Sequence, residues 1–246
     1  MLEVDQKHEY EAMQPPVQSS SSKLAMAVGG IGTHVLAFVI FLMMYFVLSD
    51  FNGGTAPLEW GSFLLHPLLM TLAFGFFSPI GTVVYGSYER LFRMDHASAK
   101  VVHMAVQGVA LLTAILGVST MWIKHDALAA AGILGGPTQP PAHFQTGHSW
   151  VGMAVVVIFG LQWLGGLVTF MLPNVVSLKT KKAIMPLHVI LGCIAVFGSL
   201  ASINAGIISW RGADGRSLDP KDMQLKTVSL LVYLLAILVA ITLGAR

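Results

Sequence analysis

Six long stretches of this chain contain no charged residue at all, and each is of a length to cross a bilayer. They run from Leu24 to Leu48, Gly61 to Tyr88, Val101 to Ile123, Gly147 to Leu172, Ala183 to Trp210 and Thr227 to Ala245. A helix needs about 20 apolar residues to cross the hydrocarbon core. All 14 basic and 12 acidic residues fall in the connectors, so the low overall charge of 11% is a property of the spans alone. Inside lipid the backbone must satisfy its own hydrogen bonds, which leaves helices or a closed barrel. Continuous runs such as "VGMAVVVIFGLQWLGGLVTFML" lack the alternation a barrel strand needs. The expected fold is an all-α membrane protein, a six-transmembrane-helix bundle.

Residues 1–23 are polar, begin acidic and end in Pro15, Pro16 and a serine run, so they read as a disordered tail ahead of a membrane domain of residues 24–246. A secretory signal would begin basic with a short apolar core, whereas here the first apolar stretch starts at Leu24 and is long enough to be retained as a span. With six spans both ends of the chain lie on one side. That side carries Lys7, Lys23, Arg90, Arg93, Lys100, Lys179, Lys181, Lys182 and Arg246. The other carries Lys124, Arg211, Arg216, Lys221 and Lys226. Short basic loops mark the cytosolic face, so both termini are expected to be cytosolic. The net charge of +2 and the absence of a glycine-rich phosphate loop argue against nucleic-acid binding and nucleotide chemistry. The single cysteine, Cys193, lies in a span and offers neither a disulfide framework nor a thiolate metal site.

Ionisable residues within spans are costly and point to function or to a paired interior position. His66, His103, His148 and His188 each stand near the start of their own span. Successive spans run in opposite directions. His66 and His148 therefore share a layer near the outer face, and His103 and His188 share one near the cytosolic face. Two imidazoles per layer, with no carboxylate in any span and no cluster of thiolates, suit a centre that asks the protein for only two ligands. Haem iron is such a centre, because the macrocycle supplies the other four nitrogens. With both axial positions filled, the chemistry implied is one-electron transfer. About 14 helical residues separate the layers, or roughly 20 Å at 1.5 Å per residue. His34 lies at mid-depth with no partner at its level and reads as a hydrogen-bonded interior residue, while His8 and His96 read as solvated. Gln107, Gln162 and Asn204 read as interhelical hydrogen-bonding groups, and Gly160, Gly165, Gly166, Gly192 and Gly198 as packing positions.

The stretch "HSWVGMAVVVIFGLQWLGGLVTFMLP" from His148, with "LHPLLM" around His66, "KVVH" ending in His103 and "PLHVILG" around His188, resembles the cytochrome b561 family of ascorbate-reducible transmembrane di-haem proteins over about residues 60 to 210. The resemblance implies two haem b groups (iron protoporphyrin IX), the non-cytosolic one on His66 and His148 and the cytosolic one on His103 and His188. It implies electron transfer from cytosolic ascorbate to monodehydroascorbate or a ferric chelate, in an endomembrane of vesicle, vacuole or lysosome type or in the plasma membrane, by a homodimer. Lys182 matches a basic family position for ascorbate, with Arg93 and Lys100 beside it. His125 in "WIKHD" matches a loop histidine at the acceptor site, and His143 is a further candidate. The chain departs from the family at Gln107, where many members have a second histidine, at Ser78 and Pro79, and in a long outer loop from Lys124 to Thr146. Two other readings stay open: a haem subunit that relays electrons to a partner protein, and a haem-free transporter whose histidines relay protons.

Overall fold

The computed structural model describes residues 20–132, 143–211 and 219–245. Six helices long and apolar enough to cross a membrane account for nearly all of them. They are α1 (Ser20–Phe51), α2 (Leu65–Glu89), α3 (His96–Ala130), α4 (Gly147–Met171), α5 (Leu178–Arg211) and α6 (Pro220–Gly244). The helices outrun the uncharged stretches. α1 begins four residues inside the expected tail, whose remaining residues 1–19 lie outside the described part. α3 continues to Ala130, so the first residues of the expected outer loop are helical, and residues 133–142 of that loop are also outside the described part. Charge density marks where a helix leaves lipid, whereas caps mark where it ends. Asp95 accepts from the Ser98 backbone at 2.9 Å to open α3, and those hydrogen bonds hold its carboxyl below the ordinary range. Asp219 caps α6 with Pro220 in the first turn.

Both ends of the bundle meet on one face: the Ser22 hydroxyl donates to the Ala245 carbonyl at 2.9 Å. At the opposite face Lys221 Nζ donates to the Asp50 carbonyl at 3.0 Å. α1 and α6 thus lie antiparallel along their whole length. Their shared core repeats at helical spacing, with Ala37, Ile40, Met44 and Leu48 on α1 and Val228, Val232, Leu235 and Val239 on α6 all buried. The approach is closest at Gly29, where an added Cβ would lie 3.0 Å from the Leu238 carbonyl oxygen and against the Thr242 hydroxyl.

α2 is the enclosed helix, with 56% of its apolar window buried against 11% for α4. α4 instead turns Val157, Leu161 and Leu164 outward, each more than half exposed, as a lipid-facing surface. Three wide π-turns interrupt the spans, at Thr71–Phe77 and Tyr85–Glu89 in α2 and at Leu167–Met171 in α4. The sequence carries no sign of them. Such turns concentrate at functional sites because they redirect side chains off the regular helical face. Phe74, in the first, stacks edge-to-face on Phe159 of α4 at 5.4 Å and fills mid-bundle space between the histidine layers.

Gly29→Val should destabilise the bundle by about 1–3 kcal/mol, because its branches collide with the α6 backbone. Gly165→Ala, with nothing within 4 Å of the added Cβ, should leave stability unchanged. Thermal unfolding of the two variants in detergent checks both outcomes.

Candidate functional site

His66 sits in the first turn of α2, where the following Pro67 is tolerated because first-turn N–H groups have no helical partner anyway. Its Nδ1 donates to the Gly117 carbonyl of α3 at 2.8 Å. His148 is the second residue of α4, which starts with a capping box between Thr146 and Ser149. Its Nδ1 donates to the Ser202 carbonyl of α5 at 3.0 Å. A carbonyl can only accept, so in each ring Nδ1 carries the proton and Nε2 presents its lone pair, the tautomer a metal ligand needs. The two ring centres are 6.2 Å apart. A metal–imidazole bond of about 2.0–2.1 Å, plus about 1.1 Å from nitrogen to ring centre, puts two rings on opposite sides of one metal atom about 6.3 Å apart. The spacing therefore fits a shared iron. Gly206 makes room, since a Cβ there would lie 2.9 Å from His148 Cε1.

The inner pair lines a cavity of about 710 Å³, within the range of small-molecule and cofactor sites. His103 of α3 donates from Nδ1 to the Gly81 carbonyl of α2 at 2.7 Å, and Tyr85, in a π-turn, lies against its ring at 5.3 Å. His188 of α5 faces Gly166, where a Cβ would come within 3.0 Å of Cε1, and meets Phe170 edge-on at 5.1 Å. Its main-chain carbonyl accepts from Gln162 Nε2 of α4. Pro186, inside the helix two residues earlier, cannot supply the N–H that the carbonyl of Lys182 would receive. Gln107 donates from Nε2 to the Ser78 carbonyl and the Thr82 hydroxyl, both at 3.2 Å, pinning α3 to α2 one turn from His103.

The sequence pattern that defines eukaryotic cytochrome b561 matches residues 65–211, a stretch holding all four histidines. This chain belongs to the cytochrome b561 family. Among its relatives, ascorbate-specific transmembrane electron transporter 1 of Zea mays is 28% identical over 178 residues, covering 71% of this chain and 69% of its own length. A lysosomal membrane ascorbate-dependent ferrireductase of Mus musculus is 27% identical over 192 residues, 74% and 68% of the two chains. Transmembrane ascorbate ferrireductase 2 of Arabidopsis thaliana is 27% identical over 177 residues, 71% and 70%. Membership implies haem b as the prosthetic group, and the donor set of paired neutral imidazoles fits it.

Other expected site residues of this b561 cytochrome divide. Lys100 and Lys182 line the inner cavity, and Lys100 Nζ donates to the Phe170 carbonyl at 3.3 Å. Arg93 is not part of the lining. It is exposed in the α2–α3 connection with a left-handed backbone, φ 55°. Lys181 lines the cavity beside Lys182, a position that sequence reasoning counted only for topology. His34 holds Gly30 through Nδ1 at 2.7 Å and Tyr88 through Nε2 at 3.0 Å, so both nitrogens are engaged and the ring is an interior hydrogen-bonding group. His96 is exposed beside Glu89. His8 lies outside the described residues. At the outer face His125 and His143 come together, with ring centres 5.4 Å apart.

Two of the glycines read as helix-packing positions serve otherwise: Gly166 clears space for the His188 ring, and Gly165 faces open space. Gly198 does pack, with a Cβ there 3.0 Å from Val155. The signal that could have found Gly166 and Gly206 is their place opposite the His188 and His148 rings, which needs the interhelical register that one sequence does not supply. Gly206→Val should expel the His148 ring and lower the haem content of the protein; haem content per chain after purification checks this.

Proposed function

We propose that the chain carries single electrons across the membrane, from ascorbate on the cytosolic side through two bis-histidine b haems to monodehydroascorbate or a ferric chelate on the far side. The observation that carries this reading is the pairing of four carbonyl-facing or glycine-facing imidazoles from alternate helices at two heights, with the outer pair spaced for one shared metal atom. His66 and His148 would hold one haem, and His103 and His188 the other. Bound there, each haem supplies a one-electron ferric/ferrous couple.

The chain's own residues do the rest. Lys100 and Lys182, with Lys181, give the inner cavity a positive mouth that attracts and orients the ascorbate anion. Arg93 stands outside the lining and would act on approach rather than on the bound anion. The apolar walls around Phe159 and Trp163 keep water from the centres. Lys182 on the cytosolic side and His125 on the far side are the groups proposed to handle the proton that accompanies ascorbate chemistry. The names of the relatives, ascorbate electron transporters and ferrireductases, support the same donor and acceptor classes. The side bearing the chain ends holds more of the basic residues, which supports cytosolic termini. The membrane is proposed to be a vesicular, vacuolar or lysosomal endomembrane or the plasma membrane, with the protein acting as a homodimer.

Purified protein should contain two haem b per chain, both reduced by ascorbate, and a preparation that binds haem but is not reduced by ascorbate overturns the donor. Replacing Lys182 with Ala should raise the KM for ascorbate about tenfold, as expected for a charge that steers an anion, while haem content stays at two; stopped-flow reduction at several ascorbate concentrations measures it.

A further inference from the structure

A carbonyl that orients an imidazole must itself be held still, and the two layers hold theirs differently. In the outer layer the Gly117 carbonyl that receives His66 also accepts from the Thr120 hydroxyl at 2.9 Å, and Thr120 is buried. In the inner layer the Gly81 carbonyl receives His103 at 2.7 Å, while the neighbouring Thr82 turns its hydroxyl to a different carbonyl, that of Ser78, at 2.8 Å. Nor does α2 hold Gly81 in the regular way. In an α-helix its carbonyl would meet the N–H of Tyr85, four residues on, and Tyr85 opens a π-turn.

Gln107 reaches this turn of α2 from α3. It stands four residues after His103, on the same face of its helix. A Cβ added at Gly81 would lie 2.9 Å from Gln107 Cδ and 3.0 Å from Nε2, so the amide rests directly over Gly81. Nε2 donates at 3.2 Å to the Ser78 carbonyl and at 3.2 Å to the Thr82 hydroxyl, which flank Gly81 on either side. With the Thr82 hydroxyl donating to Ser78, the three groups close a ring of hydrogen bonds around the glycine. Gln107 Oε1 is buried and has no partner among the described residues. An unpaired buried acceptor is costly, so the donor end is the part of this amide that the fold uses.

We infer that Gln107 is a positioning residue for His103: it clamps the Ser78–Thr82 turn so that the Gly81 carbonyl stays on His103 Nδ1, and through that bond it sets the basicity of Nε2. A carbonyl on one nitrogen of a ligating imidazole makes the other a stronger donor, and a stronger donor favours ferric over ferrous iron. Releasing the turn therefore weakens the ligand and raises the reduction potential of the inner haem. The outer haem, whose Gly117 carbonyl is steadied by Thr120, is untouched. The inference rests on His103 holding the inner haem, as proposed above.

The test uses the full haem-loaded chain in detergent, titrated potentiometrically and followed by low-temperature electron paramagnetic resonance. The inner haem is identified as the one lost from His188→Ala. Gln107→Met, similar in volume but without a donor, should keep two haems per chain and move the low-spin ferric signal of the inner one. It should raise that haem's midpoint potential by about 30–60 mV, a three- to tenfold weaker preference for ferric iron at 59 mV per tenfold. The outer haem should keep both its signal and its potential. Gly81→Ala, whose methyl group pushes the amide off the turn, should shift the same haem in the same direction; it decides the matter alone if Gln107→Met does not accumulate. An inner haem unchanged in both variants, or an equal shift of both haems, overturns the role of Gln107. Should His103→Ala retain both haems, the ligand assignment proposed above falls, and with it the basis of the inference.

Discussion

The hydrogen bond from a histidine Nδ1 to a backbone carbonyl of the neighbouring helix is the contact on which the rest of this structure depends. It recurs at His66, His103 and His148, each time to a helix other than its own. The bond does two things at once. It satisfies a polar ring in a region where an unsatisfied one is costly, and it selects the neutral tautomer with Nε2 ready to bind metal. The accepting carbonyls are available because side-chain bulk is absent at two of them, Gly81 and Gly117, and because Ser202 lies one turn before Gly206, where a missing Cβ admits the His148 ring.

The same contact explains the shape of the bundle. α2 must touch α3 closely enough for Gly81 to reach His103 and for Gly117 to reach His66, so it becomes the enclosed helix, while α4 and α5 close the other side through His148 and Ser202. Gln107 and Trp163 add ties between the same helices, the latter through its indole N–H to the Met104 carbonyl at 3.0 Å. What remains between the layers is aromatic and aliphatic, with Phe74 and Phe159 at its centre. The bundle thus presents two polar sites separated by an apolar interior.

Much of this was legible in the sequence. Charge exclusion fixed the number of spans, and alternating direction fixed the two histidine layers, because both follow from the bilayer and not from packing detail. The depth argument likewise separated His34, which the structure ties to Gly30 and Tyr88, from the other four. Helix ends were less legible: α3 and α6 extend past their uncharged stretches because Asp95 and Asp219 cap them in water. The π-turns of α2 and α4 leave no mark in hydropathy, and so Tyr85 and Phe170, which they turn toward His103 and His188, went unnoticed. Nor could one sequence show that Lys181 joins Lys182 at the cavity while Arg93 stays outside it, or that His143 stacks on Trp122 across a long loop.

The central claim is that each face of the bundle holds one iron between two neutral imidazoles. Low-temperature electron paramagnetic resonance of the oxidised protein tests it without reference to substrate. Two low-spin ferric signals of equal intensity, each of bis-imidazole character, are predicted. A high-spin signal from an iron with an open axial position, or a single low-spin species, would contradict it.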